Sequence, residues 1–351
     1  MPLLNSLTVL PLPGGQRLSG DETDSRLSLA LDGALLLRLR LERTDTEIRL
    51  AVEELPGGDA EHALWAASYW LFARDPDCQR LVWSLSWEPE ESLAKGMLTG
   101  AAAAGTYVCE RGRFWQLPWP WLPLAQPCYP QSMQLTDGKR HPLRRPKPRG
   151  EVYRRFDARL GCWISLRTLD IERDLERFHH WQNSPRVAEF WQEDGSLEQH
   201  RERLRQLEAD PHALGLIGCF DDEPFAYFEA YWAKEDRIAP FYVAEDYDRG
   251  IHMLVGEEAH RGPHKVACWL SALVHYLFLD DPRSQRVVAE PRADNARMIG
   301  HMHNLCFHCE KEFDFPHKRA ALMIIGRERF FERCRLARRG GKKLEASGGR
   351  Q

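Results

Sequence analysis

The chain has 351 residues, of which 43% are hydrophobic, and this is enough for two domains with cores of ordinary size. A net charge of −4 gives no overall basic field, and no apolar run is long enough to span a bilayer, so neither nucleic acid nor a membrane is an expected partner. Nine scattered cysteines and an N-terminal stretch that lacks the basic region of a signal peptide favour a cytoplasmic protein with reduced thiols and a small-molecule partner.

Residues 1–138 are predicted to form a separate, smaller α+β domain. Alternation predicts strands and periodicity predicts helices, in the order strands 27–41 and 47–55, helix 61–73, strand 80–87, helix 92–104 and strand 106–117. This order coarsely repeats that of the second half of the chain. A degenerate second copy of one fold is therefore an alternative to an unrelated accessory domain.

Residues 139–150 are rich in Pro and Arg, which predicts a stiff, extended connector. A solvated linker is favoured here over a phosphate site. The second domain is expected over 151–335, followed by a disordered basic tail over 336–351.

The second domain is predicted to begin with a strand, two helices and two further strands. The strands are expected at 162–168, 212–220 and 225–232; the helices run from a cap at Asp170 to residue 181 and from a cap at Ser196 to residue 207. A further helix is predicted over 295–305 and one long strand over 309–325.

The stretch from Asp248 to Asn295 carries the most informative pattern of the second domain. It predicts a strand over 248–256, a glycine turn at 260–265, a helix over 266–277 and a second strand over 286–291. A glycine turn that leads into a helix leaves backbone N–H groups unpaired, where the helix dipole favours negative charge, so this turn suits a pyrophosphate.

His252 and Glu290 lie on the two strands beside this turn. An imidazole and a carboxylate in such positions are typical of acid–base chemistry. An incidental His and Glu in an ordinary strand–helix–strand unit is the alternative that spacing leaves open.

Five separated motifs carry a family resemblance. They are GEVYRRF at 150–156, IGCFDD at 217–222, AKEDRI at 233–238, EPRADN at 290–295 and KEFDFPHKR at 311–319, with FWQLP at 114–118 as a sparser landmark in the first domain. Together they resemble the siderophore-biosynthesis branch of the GNAT acyltransferases, and within it the N6-hydroxylysine acetyltransferases of aerobactin synthesis. The resemblance implies a C-terminal GNAT fold of mixed α/β sheet, and transfer of an acetyl group from acetyl-CoA to the hydroxylamine nitrogen of N6-hydroxylysine, giving a hydroxamate for iron acquisition.

By the same resemblance, His252 and Glu290 are the catalytic pair, with His252 the favoured general base and the exchanged roles left open. Coenzyme A is expected at Leu254, Val255, Arg261, Gly262, His264, Lys265 and Asn295. The turn departs from the family pattern, because His264 stands where a second glycine is common. Met302 stands where many relatives have a tyrosine that protonates the leaving thiolate, so His301 or solvent is expected to serve instead.

The acceptor pocket is expected to use aromatic and charged residues, although a core role is the alternative for the aromatic ones. These residues are Trp191, Glu229, Tyr231, Trp232, Tyr242 and Lys318. Cys306 and Cys309 form a C-x-x-C pair, but a second paired motif at zinc spacing is missing, so no metal is expected.

Two other function classes stay open. The protein could acylate hydroxycadaverine, hydroxyputrescine or hydroxyornithine, or use succinyl-CoA, or it could be a non-catalytic scaffold of a siderophore pathway. A homo-oligomer or a complex with the pathway synthetase is a further expectation. Replacing His252 by Ala or Glu290 by Gln is expected to lower turnover with little change in folding stability.

Overall fold

The computed structural model describes residues 8–23, 25–123, 129–315, 318–333 and 336. The chain divides into two compact units, residues 1–115 with 334–351 and residues 116–333. Each unit contains one eight-stranded sheet with helices, which confirms the mixed α/β class. The domain boundaries predicted at 138, 150 and 335 stay predictions, and the predicted tail lies outside the described residues apart from Leu336.

The described residues of the first unit form eight strands and three helices. They are β1 (Val9–Pro11), β2 (Arg17–Thr23), β3 (Arg26–Leu31), β4 (Ala34–Arg43), β5 (Glu47–Glu54), α1 (Ala60–Arg74), β6 (Arg80–Ser84), α2 (Glu90–Ala94), β7 (Thr99–Gly100), β8 (Thr106–Glu110) and α3 (Arg111–Phe114). The sheet order is β1-β2-β3-β4-β5-β6-β8-β7.

Two predictions for this unit are wrong. The helix expected over 92–104 stops at Ala94, because Gly96 adopts a φ of +73° and turns the chain away. The strand expected over 106–117 ends at Glu110 and the chain continues as the short helix α3. Strands β1 and β2 were not predicted.

In the second unit, the part of the chain that the structure describes forms ten strands and six helices. They are β9 (Met133–Thr136), β10 (Lys139–Pro142), β11 (Glu151–Asp157), β12 (Cys162–Thr168), α4 (Ile171–Gln182), α5 (Pro185–Trp191), α6 (Leu197–Ala209), β13 (Ala213–Phe220), β14 (Glu223–Trp232), β15 (Arg249–Val255), α7 (Pro263–Asp280), β16 (Arg286–Ala289), α8 (Ala296–Asn304), β17 (His308–Asp314), β18 (Arg319–Gly326) and α9 (Arg327–Glu332). Strands β9 and β10 form a separate ribbon, and the main sheet has the order β11-β12-β13-β14-β15-β16-β18-β17.

The helix starts predicted in this unit are confirmed. The Asp170 carboxylate accepts from the N–H groups of Glu172 and Arg173, and Ser196 forms a capping box with Gln199. The long strand predicted over 309–325 is wrong, since it is a hairpin of β17 and β18. Strand β11 and helix α5 were not predicted.

Helices cover both faces of the second sheet. Tyr227 and Phe228 are neighbours on β14, so their side chains point to opposite faces. The Tyr227 ring packs against Phe178 of α4 at a centroid distance of 4.9 Å, whereas the Phe228 ring stacks on Trp269 of α7 at 5.2 Å. Leu254 packs with Tyr227, which places the alternating residues of β15, including position 252, on the face covered by α4 to α6.

The two main sheets have the same strand order. In each, six of the seven pairs of neighbouring strands are antiparallel, and the one parallel pair, β5–β6 or β15–β16, is bridged by a long helix. The sequence predicted that the first domain coarsely repeats the element order of the second, and the two sheets share their strand order in this way. Helices α4 to α6, inserted between β12 and β13, have no counterpart between β2 and β3 among the described residues.

The segment 139–150 was interpreted as a solvated linker, and the structure corrects this. Arg144 forms a two-bond ion pair with Glu235, at 2.5 and 2.7 Å, and lies over the Trp232 ring. Lys147 donates to the backbone oxygen of Leu207 at 2.6 Å. Basic side chains therefore tie the segment to the rest of the second unit, because each finds a carboxylate or a carbonyl there.

Among the described residues, none of the helices has the length and apolar character that a membrane-spanning helix requires.

Candidate active site

The candidate site lies where β15 and β16 part. These parallel strands pair only at Arg249 with Val287 and at Gly250 with Val288. Beyond these two pairs, residues 251–255 have no ladder partner on the β16 side within the described chain. Backbone polar groups at such an opening are available to an extended ligand.

Gly250 permits this local geometry. A Cβ atom at this position would lie 1.9 Å from the Tyr231 ring on the neighbouring strand. Only glycine lets that ring pack against the backbone beside the opening.

His252 lies at the opening between two carboxylates. Its Nδ1 is 2.8 Å from Glu229 Oε2 on β14, and its Nε2 is 2.5 Å from Glu290 Oε1 just after β16. The structure thus brings together the two residues predicted to be catalytic, and it adds Glu229, which was predicted only to contact the acceptor. We call these three residues the Glu–His–Glu trio.

The trio holds His252 in its charged form. Carboxylates only accept, so both ring nitrogens must carry a proton to bond to them, which makes the ring an imidazolium. Burial alone would lower the pKa of His252, but the charge of Glu290 and the bonds to Glu229 and Glu290 outweigh it and raise this pKa to about 10. Near neutral pH the ring therefore has no lone pair with which to accept a proton.

Both carboxylates stay ionised. Burial alone would raise their pKa values, but His252 lowers the pKa of Glu290 and that of Glu229 to about 2. With one imidazolium between two carboxylates, the trio carries a net charge of −1. It can take up one proton without creating a net positive charge.

Tyrosines on β14 and an arginine on α6 complete the hydrogen bonds of the trio. Tyr231 donates to Glu290 Oε2 at 2.8 Å, and Tyr227 donates to Glu229 Oε1 at 2.7 Å. Arg203 donates to the same Glu229 oxygen at 3.0 Å. Because Tyr231 is 1% exposed, it orients Glu290 rather than lining an open pocket.

The other predicted acceptor residues lie in different places. The Trp191 ring is 6.3 Å from the His252 ring, and Lys318 Nζ donates to the backbone oxygen of Glu290 at 2.7 Å, so both border the opening. Trp232 and Tyr242 do not join them. Two arginine guanidinium groups lie over the Trp232 ring, and the Tyr242 hydroxyl donates to Asp248.

Alternation explains the position of Trp232. Glu229 and Tyr231 are two apart on β14 and share the His252 face, whereas the next residue points to the other face of the sheet. There the guanidinium groups of Arg144 and Arg249 lie over its ring, at 4.2 and 4.1 Å from the ring centre.

The predicted coenzyme A turn opens helix α7. Gly262, at the N-cap, has a φ of +128°, and among the described residues no side chain caps this helix. Pro263 follows as the first helical residue and donates no N–H, which leaves those of Gly262, His264 and Lys265 as the turn's donors. The residues at the turn therefore fit an anionic group, although Lys265 Nζ is held by His260 and Ala259.

The remaining cofactor predictions are backbone or capping positions. Leu254 is buried in the core, so it can meet a ligand only through the main chain, whereas Val255 is half-buried and ends β15. Arg261 is exposed beside the turn. Asn295 caps α8 by accepting from Met298 N–H at 3.1 Å.

The position expected to hold a general acid is apolar and closed. Met302 is 0% exposed, and burial lowers the pKa of the neighbouring His301. Among the described residues no group of three or more His, Cys, Asp or Glu side chains is arranged to hold a metal.

Three polar residues at the site were not predicted. Tyr227 could have been found, because it continues the two-residue alternation of Glu229 and Tyr231 on one strand. Arg203 lies on α6, 26 positions before its partner Glu229 in the sequence, and no local spacing pattern predicts a contact over that separation. Arg237, in the loop after β14, places its guanidinium 4.0 Å from Glu290 Oε1.

Comparison with known proteins agrees with this geometry. Residues 170–315 match the family model described as an acetyltransferase (GNAT) domain. The chain is 50% identical over 228 residues to a putative lysine N-acyltransferase of Schizosaccharomyces pombe, which covers 65% of this chain and 68% of that protein. It is 47% identical over 226 residues to an N(5)-hydroxyornithine:cis-anhydromevalonyl coenzyme A-N(5)-transacylase of Beauveria bassiana, and it spans about half the length of that relative (63% and 48% coverage).

The match to the N(6)-hydroxylysine O-acetyltransferase of Escherichia coli extends over both units. The two chains are 41% identical over 304 residues, which is 84% of this chain and 95% of the bacterial enzyme. The shared domain model, the parted strands and this near-complete match lead to one conclusion: the chain belongs to the GNAT acyltransferase family, in the branch that includes the hydroxylysine acetyltransferase of E. coli.

Proposed function

We propose that this protein transfers the acetyl group of acetyl-CoA to the hydroxylamine nitrogen of N6-hydroxylysine, giving a hydroxamate used in siderophore biosynthesis. The observation that carries the proposal is the Glu–His–Glu trio, set at the opening between β15 and β16. The match to the E. coli enzyme supports the choice of acceptor.

Acetyl-CoA, as the acyl-donor substrate, is proposed to lie in this opening. The N–H groups at Gly262 and the start of α7 would face its pyrophosphate, with Arg261 adding positive charge. The unpaired edge of β15 at Leu254 and Val255 would bond the amides of the pantetheine arm. Asn295 would contact that arm from the start of α8.

The reaction requires little base strength. A hydroxylamine nitrogen is a weaker base than a lysine amine, so it is neutral near pH 7 and has a lone pair for attack. The nitrogen–carbon bond forms at the thioester carbonyl, the carbon–sulfur bond breaks, and coenzyme A leaves as its thiolate, which takes a proton from solvent. One proton must also leave the nitrogen, and it is acidic once that nitrogen carries positive charge.

Glu290 is proposed to receive this proton. His252 was favoured as the base, but a ring bonded through both nitrogens to carboxylates has no lone pair to offer. In the proposed mechanism, His252 holds the Glu290 carboxylate in place. The net charge of −1 on the trio falls to zero when the proton arrives.

The acylated atom needs its own test, because the E. coli relative is named an O-acetyltransferase and the S. pombe relative an N-acyltransferase. Nitrogen acylation gives a hydroxamate that forms a coloured complex with Fe(III). Oxygen acylation gives an ester of the same mass that leaves the nitrogen basic and hydrolyses in alkali. A ferric colour assay on the purified product separates the two, and an alkali-labile product without ferric colour would contradict nitrogen transfer.

The central experiment measures thiol release with acetyl-CoA and N6-hydroxylysine. Glu290→Gln keeps the size of the side chain but removes its capacity to accept a proton, so turnover should fall by roughly 10²- to 10⁴-fold. Glu312→Gln, an exposed glutamate on β17 paired with Arg319, is the matched control and should keep the wild-type rate. Equal rates in Glu290→Gln and wild type would overturn the assignment of Glu290.

N5-hydroxyornithine is a second candidate acceptor, because the relative from B. bassiana acts on it by name. An array of acyl donors and hydroxylamine acceptors, read by the same thiol release, would rank it against N6-hydroxylysine. Assembly into a homo-oligomer, or with the synthetase that consumes the hydroxamate, stays a prediction.

A further inference from the structure

Arg237 lies at the opening, and its guanidinium forms no hydrogen bond with the described residues. It lies in the loop between β14 and β15, next to Ile238, which is 0% exposed and anchors the loop. Its guanidinium is 4.0 Å from Glu290 Oε1 and lies 5.6 Å from the centre of the Phe315 ring. The side chain is nevertheless 55% exposed.

The other basic side chains around the trio are bonded to protein groups. The pairs are Arg203 with the Glu229 carboxylate, Lys318 with the Glu290 carbonyl oxygen, and Arg292 with the Asp294 carboxylate. For Arg237, in contrast, no hydrogen bond within 3.5 Å is found among the described residues, and its distance to Glu290 is that of a loose ion pair. Its five N–H donors are therefore available to a ligand.

We infer that Arg237 binds the α-carboxylate of the acceptor, so that the site selects N-hydroxylated amino acids over N-hydroxylated diamines. This inference rests on the proposed function, since it places the acceptor nitrogen beside Glu290. A planar guanidinium pairs with a carboxylate through two parallel bonds, which fixes both distance and orientation.

The dimensions agree with this placement. The five bonds between the Cα and the terminal nitrogen of a lysine side chain, each about 1.5 Å long, span roughly 6 Å when extended. With the nitrogen at Glu290, the carboxylate end would reach a guanidinium that is 4.0 Å from Glu290 Oε1. A diamine of the same length brings only its ammonium to the guanidinium, with no carboxylate to offset the repulsion between the like charges.

The test compares N6-hydroxylysine with N-hydroxycadaverine, which is the same chain without the carboxylate. In Arg237→Gln, kcat/KM for N6-hydroxylysine should fall by roughly 10- to 100-fold, mainly through KM, because a bond between charged groups is lost. The value for N-hydroxycadaverine should not fall, and it should rise to the extent that the guanidinium repels the ammonium of the diamine. Arg237→Lys should recover part of the loss, since it keeps the charge but not the two-bond geometry.

Arg201→Gln provides a matched control. Arg201 is an arginine on α6 that pairs with Glu198 in solvent, so its replacement should leave both acceptors unaffected. If Arg237→Gln lowers kcat/KM equally for both acceptors, Arg237 acts on Glu290 rather than on the carboxylate, and the inference is overturned. A wild-type enzyme that does not distinguish the two acceptors overturns it as well.

Calorimetric binding of the two acceptors separates this inference from the proposed function. Suppose that the wild type binds N6-hydroxylysine but releases no thiol, and that Arg237→Gln loses this binding. Such a result would contradict the proposed reaction and support the carboxylate site. Equal binding of both acceptors to the wild type would reject the carboxylate site whatever the turnover.

Discussion

Replacing His252 by Ala should destabilise the protein as well as inactivate it. The substitution leaves two buried carboxylates facing each other without the imidazolium that bonds to both. Removing one partner of a buried ion pair costs roughly 3–5 kcal/mol, and the lower end applies here because the His252 side chain is 19% exposed. A loss of about 3 kcal/mol lowers the midpoint of thermal unfolding by roughly 6–12 °C for a unit of this size. This replaces the expectation, made from the sequence, of little change in stability.

The pH dependence of the loss tests its cause. The raised pKa of His252 contributes stability that is complete below its unfolded value and is lost as pH rises towards about 10. The lowered pKa values of Glu229 and Glu290 contribute stability above their unfolded value, which is lost as pH falls towards about 2. Wild type should therefore be most stable between about pH 4.5 and 6.5.

In the variant, the unpaired carboxylates favour protonation, so its stability should rise as pH falls. The difference in unfolding free energy between wild type and His252→Ala should thus grow from about pH 4 to about pH 6. Urea unfolding at a series of pH values measures it. His308→Ala, which removes an exposed histidine paired with Glu310, is the control and should change stability by less than about 1 kcal/mol at every pH. A pH-independent difference, or a His252 variant as stable as wild type, would refute the imidazolium argument.

Two glycine substitutions test the opening itself. Gly262→Val puts a branched side chain at a φ of +128°, with a Cβ 3.0 Å from the His264 ring, so the turn should shift. The Kd for acetyl-CoA, measured by calorimetry, should then rise by about tenfold. Gly300→Ala, where a Cβ meets open space on a helix, is its control and should leave that Kd unchanged. Gly250→Ala should lower both turnover and the thermal midpoint, at a cost of about 1–3 kcal/mol, because its Cβ would lie 1.9 Å from the Tyr231 ring. Wild-type values in either test variant would show that the backbone there adjusts freely.

The sequence predicted well what depends on local pattern. The strand, turn, helix and strand between Asp248 and residue 291 were found within a few positions, since apolar periodicity and a glycine turn are local signals. The helix caps at Asp170 and Ser196 were found for the same reason. The proximity of His252 and Glu290 followed from placing one residue on each of two neighbouring strands.

What the sequence could not supply were contacts between distant segments and the charge states that they impose. The catalytic role first favoured for His252 assumed an ordinary imidazole, and only the two carboxylates around it change that. Arg203 and Arg237 reach the trio from a helix and a loop, which no spacing rule relates to β15. The break between β17 and β18 was missed because β17 is a polar, exposed strand, with no buried alternation to mark where it ends.

The two units show which part of the shared strand order creates the site. In the first unit, the parallel strands β5 and β6 stay paired over five residue pairs, from Glu47–Arg80 to Ala51–Ser84, and this continuous ladder satisfies their backbone groups. In the second unit, the corresponding strands separate after two pairs, and the freed edge of β15 carries the imidazolium. Topology alone therefore does not produce an acyltransferase site. The site requires the early separation of the parallel pair, a glycine where the Tyr231 ring meets the backbone, and carboxylates on both flanking strands that keep His252 charged.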